Sequence, residues 1–142
     1  MKRKVFWVVL LLMLGIFLFG GCCCLFQNLS ADVVITKWEQ DYSNGKWSDQ
    51  VKVYYTITNT GNVDIGYYNI WLAAYCEYEG IYEDGGIYED WNTIGTFVGI
   101  GNSKDRTCWI TVGENETVGE KVIRMNVTNL ILQPYAGPWQ YE

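Results

Sequence analysis

Five cysteines are the residues with the widest chemistry in this 142-residue chain. Three of them, Cys22, Cys23 and Cys24, are adjacent and stand at the end of a long apolar run. Such thiols could pair as disulfides, bind a metal or accept a lipid. Zinc motifs separate their ligands along the chain so that several sulfurs reach one ion, which disfavours a metal here. The place of these thiols, directly after an apolar run, favours the lipid.

The residues before Cys22 have the layout of an export signal. Three basic residues at positions 2–4 precede an apolar stretch, and Gly20 and Gly21 come directly before the cysteine. The ending LFGGC resembles the lipobox of lipoprotein signal peptides, with Phe19 where leucine is usual. This resemblance implies cleavage after Gly21 and a lipid on Cys22.

The predicted organisation is a signal over 1–21, a tether over 22–31 and a single domain over 32–142. Two alternatives stay open. The apolar run continues to Phe26, and its roughly 22 residues are enough for an uncleaved anchor helix that spans a bilayer. The second alternative is ordinary secretion, with the signal removed and no anchor. In each case the domain is exported, and in the favoured one it is lipid-anchored to the cell membrane on its extracytoplasmic face.

Cys76 and Cys108 are the other two cysteines, and in an exported domain an oxidising compartment would favour pairing them. Each alternates with aliphatic residues in its own segment, so both are expected to point into one core. We therefore predict a disulfide between them, which closes a loop of about 30 residues.

The charge of the chain excludes one class of partner. Net charge is −6, and losing Lys2, Arg3 and Lys4 with the signal takes it to −9. A domain this acidic repels the phosphate backbone, so nucleic acid is not an expected partner. The chain also has no histidine, the commonest general base and metal ligand. No cofactor is expected.

Short alternating segments rich in aromatic and β-branched residues fill the chain after residue 31. In QVKVYYTITNTG (50–61), for example, Val51, Val53 and Tyr55 share one face. No segment after residue 26 has a sustained helical period. The pattern predicts an all-β protein, an antiparallel sandwich of about seven strands, with the N-terminal hydrophobic segment as its one helix.

Two stretches carry a family resemblance. VYYTITNTGNVDIGYYNIWLAAYCEYEG and IGTFVGIGNSKDRTCWITV are similar to the immunoglobulin-like CARDB and FxLYD domains of bacterial and archaeal cell surfaces. Asn59, Thr60 and Gly61 match a strand ending in NTG, and 101–104 match a later turn that lacks its usual proline. The resemblance covers about 50–130. It implies an immunoglobulin-like fold with a role in adhesion, assembly or spacing.

The acidic repeat over 77–91 could bind Ca²⁺, which prefers several oxygen ligands on a flexible loop. Its spacing does not follow the known calcium-loop pattern. A solvated hairpin extension with Asp84-Gly85-Gly86 at its turn is the favoured interpretation, because acidic side chains protect strand edges from aggregation. The weak metal candidates are Glu83, Asp84, Glu89 and Asp90.

A second candidate site consists of aromatic residues on the strand faces opposite the aliphatic ones. These are Tyr54, Trp71, Tyr75 and Trp109. Exposed, they could stack on sugars or peptides. The alternative is that a second layer, such as the tail, covers them. Sequons at Asn28, Asn115 and Asn126 are possible N-glycosylation sites on an exported chain.

The chain shows no nucleophile-elbow or P-loop signature, and we expect no enzymatic activity. The predicted function is that of a cell-surface lipoprotein that presents an interaction, adhesion or assembly module to an envelope protein or surface polymer. Two alternatives are a carbohydrate- or ligand-binding module that uses the aromatic residues, and an accessory subunit of a membrane complex held by an uncleaved helix.

Overall fold

The computed structural model describes residues 26–77, 86–113 and 119–137. Every regular element in these ranges is a β-strand, and none of them is a helix. The predicted signal or anchor segment lies outside the described residues, and no helix within them could span a membrane. The strands are β1 (Ala31–Ser43), β2 (Lys46–Asn59), β3 (Ile65–Glu77), β4 (Ile87–Val98), β5 (Ser103–Thr111) and β6 (Lys121–Pro134).

The strands form two antiparallel sheets of three. Sheet A has the order β1-β2-β5, and sheet B has the order β4-β3-β6. The sheets pack face to face around one core, with β4 beside β5 along one side and β1 beside β6 along the other. The prediction of an all-β chain with two antiparallel sheets is confirmed.

Strand alternation builds the core, because successive side chains of a strand point to opposite faces. The central strands β2 and β3 contribute most of it, and their inward side chains are almost fully buried. Near its middle the hydroxyls of Tyr55 and Tyr68 form a hydrogen bond of 2.8 Å between the sheets. The core residues of these two strands are Val51, Val53, Tyr55, Ile57, Ile65, Tyr68, Ile70, Leu72, Ala74 and Cys76.

Two details of the predicted strands are wrong. The described residues hold six strands instead of about seven, because the end of the acidic repeat and the segment after it form one strand, β4. On β6, strand alternation predicts that Ile123, Met125 and Val127 point inward, yet Val122 faces the core in place of Ile123, because the pairing with β3 shifts between Tyr75 and Cys76. A bulge of this kind adds one residue and moves the following side chains to the other face.

The sandwich has two ends that differ in what they hold. At the upper end β1 turns into β2 through Asn44 and Gly45, whose positive φ angles fit the predicted hairpin turn. The lower end holds the β2–β3 loop (60–64), the β4–β5 turn (99–102) and the segment 26–30.

Asn59 is the centre of the lower end and is 1% exposed. Its side-chain amide donates to the carbonyl oxygens of Val63 and Val98, at 2.8 and 2.9 Å, and its Oδ1 accepts from the Gly61 amide. Every polar atom of the side chain is therefore satisfied inside the protein, which ties β2 to the following loop and to β4.

The segment 26–30, which belongs to the predicted tether, forms hydrogen bonds with this loop. The amides of Thr60 and Gly61 donate to the Ser30 carbonyl, and the Asn62 amide donates to the Asn28 carbonyl at 2.9 Å. A Cβ at Gly61 would lie 2.1 Å from the Asn28 carbonyl oxygen, so only glycine permits this approach. The NTG motif thus closes the lower end of the fold.

Candidate functional site

The four predicted aromatic residues do not form one site, because they lie on opposite faces of the molecule. Tyr54 on β2 and Trp109 on β5 belong to the outer face of sheet A. Trp71 and Tyr75 belong to β3 and the outer face of sheet B. All four are at least partly exposed, and each face has its own surroundings.

On sheet A, charged side chains engage the aromatic rings. The Tyr54 hydroxyl donates to Glu39 at 2.6 Å, and the ammonium group of Lys37 lies 2.6 Å from the same carboxylate. Lys37 and Lys52 lie 4.2 and 5.1 Å from the centre of the Tyr54 ring, and Lys52 also lies 5.8 Å from that of Trp109. Charged side chains and aromatic rings thus form a ladder on this face, which consists of Lys37, Glu39, Lys52, Tyr54 and Trp109.

The hydrogen bonds within this ladder shift the pKa values of two of its charged groups. The hydrogen bonds from Lys37 and Tyr54 hold the pKa of the Glu39 carboxyl below its ordinary value, and the bond to Glu39 raises the pKa of Lys37. Shallow, open grooves lie on either side of the ladder, next to Tyr54 and Trp109. Lysine ammonium groups lie near both rings of this face.

The outer face of sheet B has a different character, since two tryptophans form its centre. Trp71 on β3 pairs in register with Trp91 on β4, and their rings stack with centroids 6.1 Å apart and an interplanar angle of 23°. Trp91 is 56% exposed. Sequence analysis missed Trp91 as a site residue, although its alternation with Ile87 and Glu89 on one strand was the signal for it.

Further apolar residues extend this surface along the whole sheet. We call the set the aromatic face. Above the tryptophans, the Tyr75 ring pairs with Ile87 and lies 3.9 Å from the guanidinium of Arg124. Below them, Phe97 and Tyr135 meet edge to face with centroids 5.0 Å apart. The members of the aromatic face are Tyr67, Trp71, Tyr75, Ile87, Trp91, Phe97, Ile131 and Tyr135.

Amide side chains lie between the rings. Asn69 of β3 occupies the row next to the tryptophans, where the Thr93 hydroxyl donates to its Oδ1 at 2.7 Å. Across the sheet, β6 places Asn129 opposite Trp71 and Asn126 opposite Ala73. Amides both donate and accept hydrogen bonds. The surface therefore offers ring faces and paired hydrogen-bonding groups side by side.

Cys76 and Cys108 are buried free thiols in the structure, 2% and 3% exposed. They belong to opposite sheets, as β3 and β5 do. Burial raises the pKa of each to about 12, with smaller contributions from Glu120 for Cys76 and from Asp90 for Cys108. The disulfide between them stays a prediction about the protein in an oxidising compartment.

Two of the weak metal candidates, Glu83 and Asp84, lie outside the described residues. Glu89 is exposed on β4, whereas the Asp90 carboxylate accepts from the amides of Trp91 and Thr111, at 2.8 and 3.3 Å, and so links β4 to β5. Within the ranges that the structure describes, no group of three or more acidic, cysteine or histidine residues could hold a metal.

The predicted modification sites differ in what the structure says of them. Asn28 and Asn126 are exposed, as glycosylation requires, and Asn126 lies next to the aromatic face. Cys22 and Asn115 lie outside the described residues. Lipidation and glycosylation stay predictions.

No protein-family model, no curated protein and no solved structure matches this chain.

Proposed function

We propose that this chain is a non-enzymatic cell-surface lipoprotein whose immunoglobulin-like domain binds a component of the cell envelope. The order of the strands supports the immunoglobulin-like part. If β1 to β6 are read as A, B, C, C′, E and F, sheet A is A-B-E and sheet B is C′-C-F. Immunoglobulin-like sandwiches divide these strands between their sheets in the same way.

The observation that carries a binding function is the exposure of the aromatic face. Soluble domains expose few contiguous apolar surfaces, and those that do occur mark sites of interaction. Here Ile87, Trp91 and Phe97 are 62%, 56% and 47% exposed on one strand. Tryptophan and tyrosine are also the residues that contribute most to binding at interfaces.

The anchor rests on Cys22 and the basic, apolar sequence before it. Intact mass of the chain made in a lipoprotein-processing host tests this part. Loss of 1–21 together with a diacylglyceryl adduct supports the lipoprotein. A full-length, unmodified chain in the membrane would instead favour the uncleaved anchor and an accessory subunit of a membrane complex.

Binding is tested with the full chain in detergent and the detergent-insoluble envelope of the organism that carries the gene. We expect the chain to sediment with the envelope and Trp91→Ala to sediment much less. Trp109→Ala is the matched control, since Trp109 is 51% exposed on sheet A. Equal loss in both variants, or no sedimentation of the unaltered chain, would contradict the proposed binding.

A further inference from the structure

We propose that the aromatic face binds a neutral polysaccharide, an inference that rests on the proposed binding function and names its ligand. Sugar rings present apolar C–H faces that stack on aromatic rings, and hydroxyl groups at their edges. A site for such a chain needs flat rings with amide groups beside them. The outer face of sheet B meets this requirement row by row.

The rings are spaced along one strand. Tyr67, Trp71 and Tyr75 follow each other on β3 at intervals of four residues, all in register positions on the outer face. A strand advances about 3.4 Å per residue, so consecutive rings are about 14 Å apart. This spacing suits an extended polymer of several sugar units better than one small ligand, which would contact a single ring.

The two tryptophans at the centre of the row are close to parallel. The angle between the planes of the Trp71 and Trp91 rings is 23°, and their centroids are 6.1 Å apart. Trp91 keeps 56% of its surface exposed after this stacking. A sugar ring can therefore stack on Trp91, whose orientation the contact with Trp71 supports.

Hydrogen-bonding groups occupy the rows between the rings. Asn69 lies between Tyr67 and Trp71, and Asn126 of β6 lies in the row between Trp71 and Tyr75. The bond from Thr93 to Asn69 holds one of these amides in a fixed orientation. Fixed amides select a ligand by the positions of its hydroxyl groups.

The charge of the surface favours a neutral polymer. The row of the tryptophans and the two rows below it contain only uncharged side chains: Tyr67, Asn69, Trp71, Trp91, Thr93, Gly95, Asn129, Ile131 and Gln133. Charged residues begin in the next rows, with Glu89 on β4 and Arg124 on β6. The domain as a whole is acidic and repels an anionic polymer. A neutral chain that lies on the three uncharged rows meets no charged side chain there.

The first test is native electrophoresis of the detergent-solubilised full chain in gels that contain hydroxyethylcellulose, xylan, galactomannan or pullulan. We expect at least one polymer to retard the chain. Trp91→Ala should weaken this retardation about tenfold or more, as the loss of a central aromatic does. Trp91→Phe should keep part of the affinity, and Trp109→Ala should keep all of it. Near-UV circular dichroism checks that the variants are folded.

The second test asks which component of the envelope carries the ligand. Binding to the detergent-insoluble envelope that is lost after periodate oxidation and survives protease supports the inference. Binding that survives periodate and is lost after protease overturns the inference and leaves the proposed function standing. Absence of envelope binding together with no retardation by any polymer overturns both.

A second copy of the chain is the remaining occupant that the face could accept. Sedimentation velocity of the full chain decides this case. Dimers that Trp91→Ala dissociates would assign the aromatic face to self-association and overturn the inference. A single species that does not depend on Trp91 leaves the face free for the polymer.

Discussion

The hydroxyl groups of Tyr55 and Tyr68 are buried, and each is the hydrogen-bond partner of the other. Tyr55→Phe removes one of them and leaves the other without its partner in the core. We expect each single phenylalanine variant to lose about 1–3 kcal/mol of unfolding free energy, the cost of an unsatisfied buried polar group. The double variant should be close to the unaltered protein.

Urea denaturation of the four proteins measures this cycle. The coupling between the two sites distinguishes a hydrogen bond from simple packing, because packing losses at two positions would add. Additive losses in the double variant would show that the pair contributes no specific interaction.

Alkaline pH should destabilise the reduced protein. Burial raises the pKa of the Cys76 and Cys108 thiols, and of the Tyr68 hydroxyl, to about 12. Because folding favours the neutral forms, their contribution is complete below the unfolded pKa values, near 8.5 for cysteine and 10 for tyrosine. It is lost as the pH rises from there through about 12.

Urea titrations in reductant at pH 8, 9, 10 and 11 measure this loss. The free energy of unfolding should fall steadily over the series, and the double variant with alanine at both cysteines should fall less steeply between pH 8 and 10. A constant value up to pH 11 would contradict the buried state of these groups.

The predicted disulfide between Cys76 and Cys108 concerns the same two residues under oxidising conditions. Protein purified from such a compartment, unfolded without reductant, should show neither of these thiols in a thiol count. The bond requires Cα atoms within about 7 Å, and its reduction should cost about 2–5 kcal/mol. Two free thiols in this count would refute the pairing.

Residue types indicated part of the candidate site and missed its centre. Alternation placed Trp71 and Tyr75 on the outer face, where the structure has them. Trp91 was not found because its neighbours in the sequence are acidic, and composition directed the interpretation to a solvated hairpin. Only the register between β3 and β4 brings it to Trp71. Pairing between strands is a property of the fold that one sequence does not display.

At the scale of the elements, the loop that follows β2 leaves no room for one added carbon atom at Gly61. Gly61→Ala puts a methyl group against the Asn28 carbonyl. We expect the segment 26–30 to leave the loop, with a loss of about 1–3 kcal/mol. Hydrogen exchange of the Thr60, Gly61 and Asn62 amides, which donate to that segment, should become much faster.

Asn62→Ala is the companion variant, because it adds no atom and removes two hydrogen bonds, one that the Asn62 side chain donates to the Phe26 carbonyl and one that it accepts from the Asn28 amide. It should speed exchange of the Thr60 and Gly61 amides with a smaller loss of stability. Unchanged exchange in both variants would show that the segment is held by other contacts.

The strands themselves were largely predictable, and the exceptions have one cause. Simple alternation assigned the inward residues of β2, β3 and β5 correctly, since β2 pairs with β5 without a shift and the irregularity of β3 lies between Ile65 and Tyr67, before the alternating residues. It failed on β6, where the pairing with β3 shifts twice within the strand. A bulge adds one residue with no characteristic composition, so the pattern gives no warning of it.

At the scale of the whole molecule, the docked segment 26–30 sets the distance between the domain and the proposed anchor. Three residues lie between Cys22 and Phe26, whose carbonyl accepts from Asn62. The four steps from Cys22 to Phe26 span at most about 14 Å even when fully extended. A lipid on Cys22 therefore holds the lower end of the sandwich close to the membrane surface.

Apolar side chains lie at this lower end. Phe26 is 83% exposed, and Ile100, at the tip of the β4–β5 turn, is 54% exposed. An exposed aliphatic residue on a turn costs little stability in the free domain. Its transfer from water into the interface of a nearby bilayer is favourable in free energy. We expect Ile100 to contact the membrane in the anchored protein.

A polarity-sensitive fluorophore at position 100 measures this contact. Ile100→Cys is labelled under native conditions in a chain with Cys23→Ser and Cys24→Ser. The buried Cys76 and Cys108, with their raised pKa values, should not react.

Lys46→Cys, next to the Asn44-Gly45 turn at the upper end, is the matched control. On insertion of the lipidated chain into liposomes, emission from position 100 should shift to the blue while emission from position 46 stays unchanged. The same emission from both positions would mean that the domain stands clear of the bilayer, with its tether released from the loop.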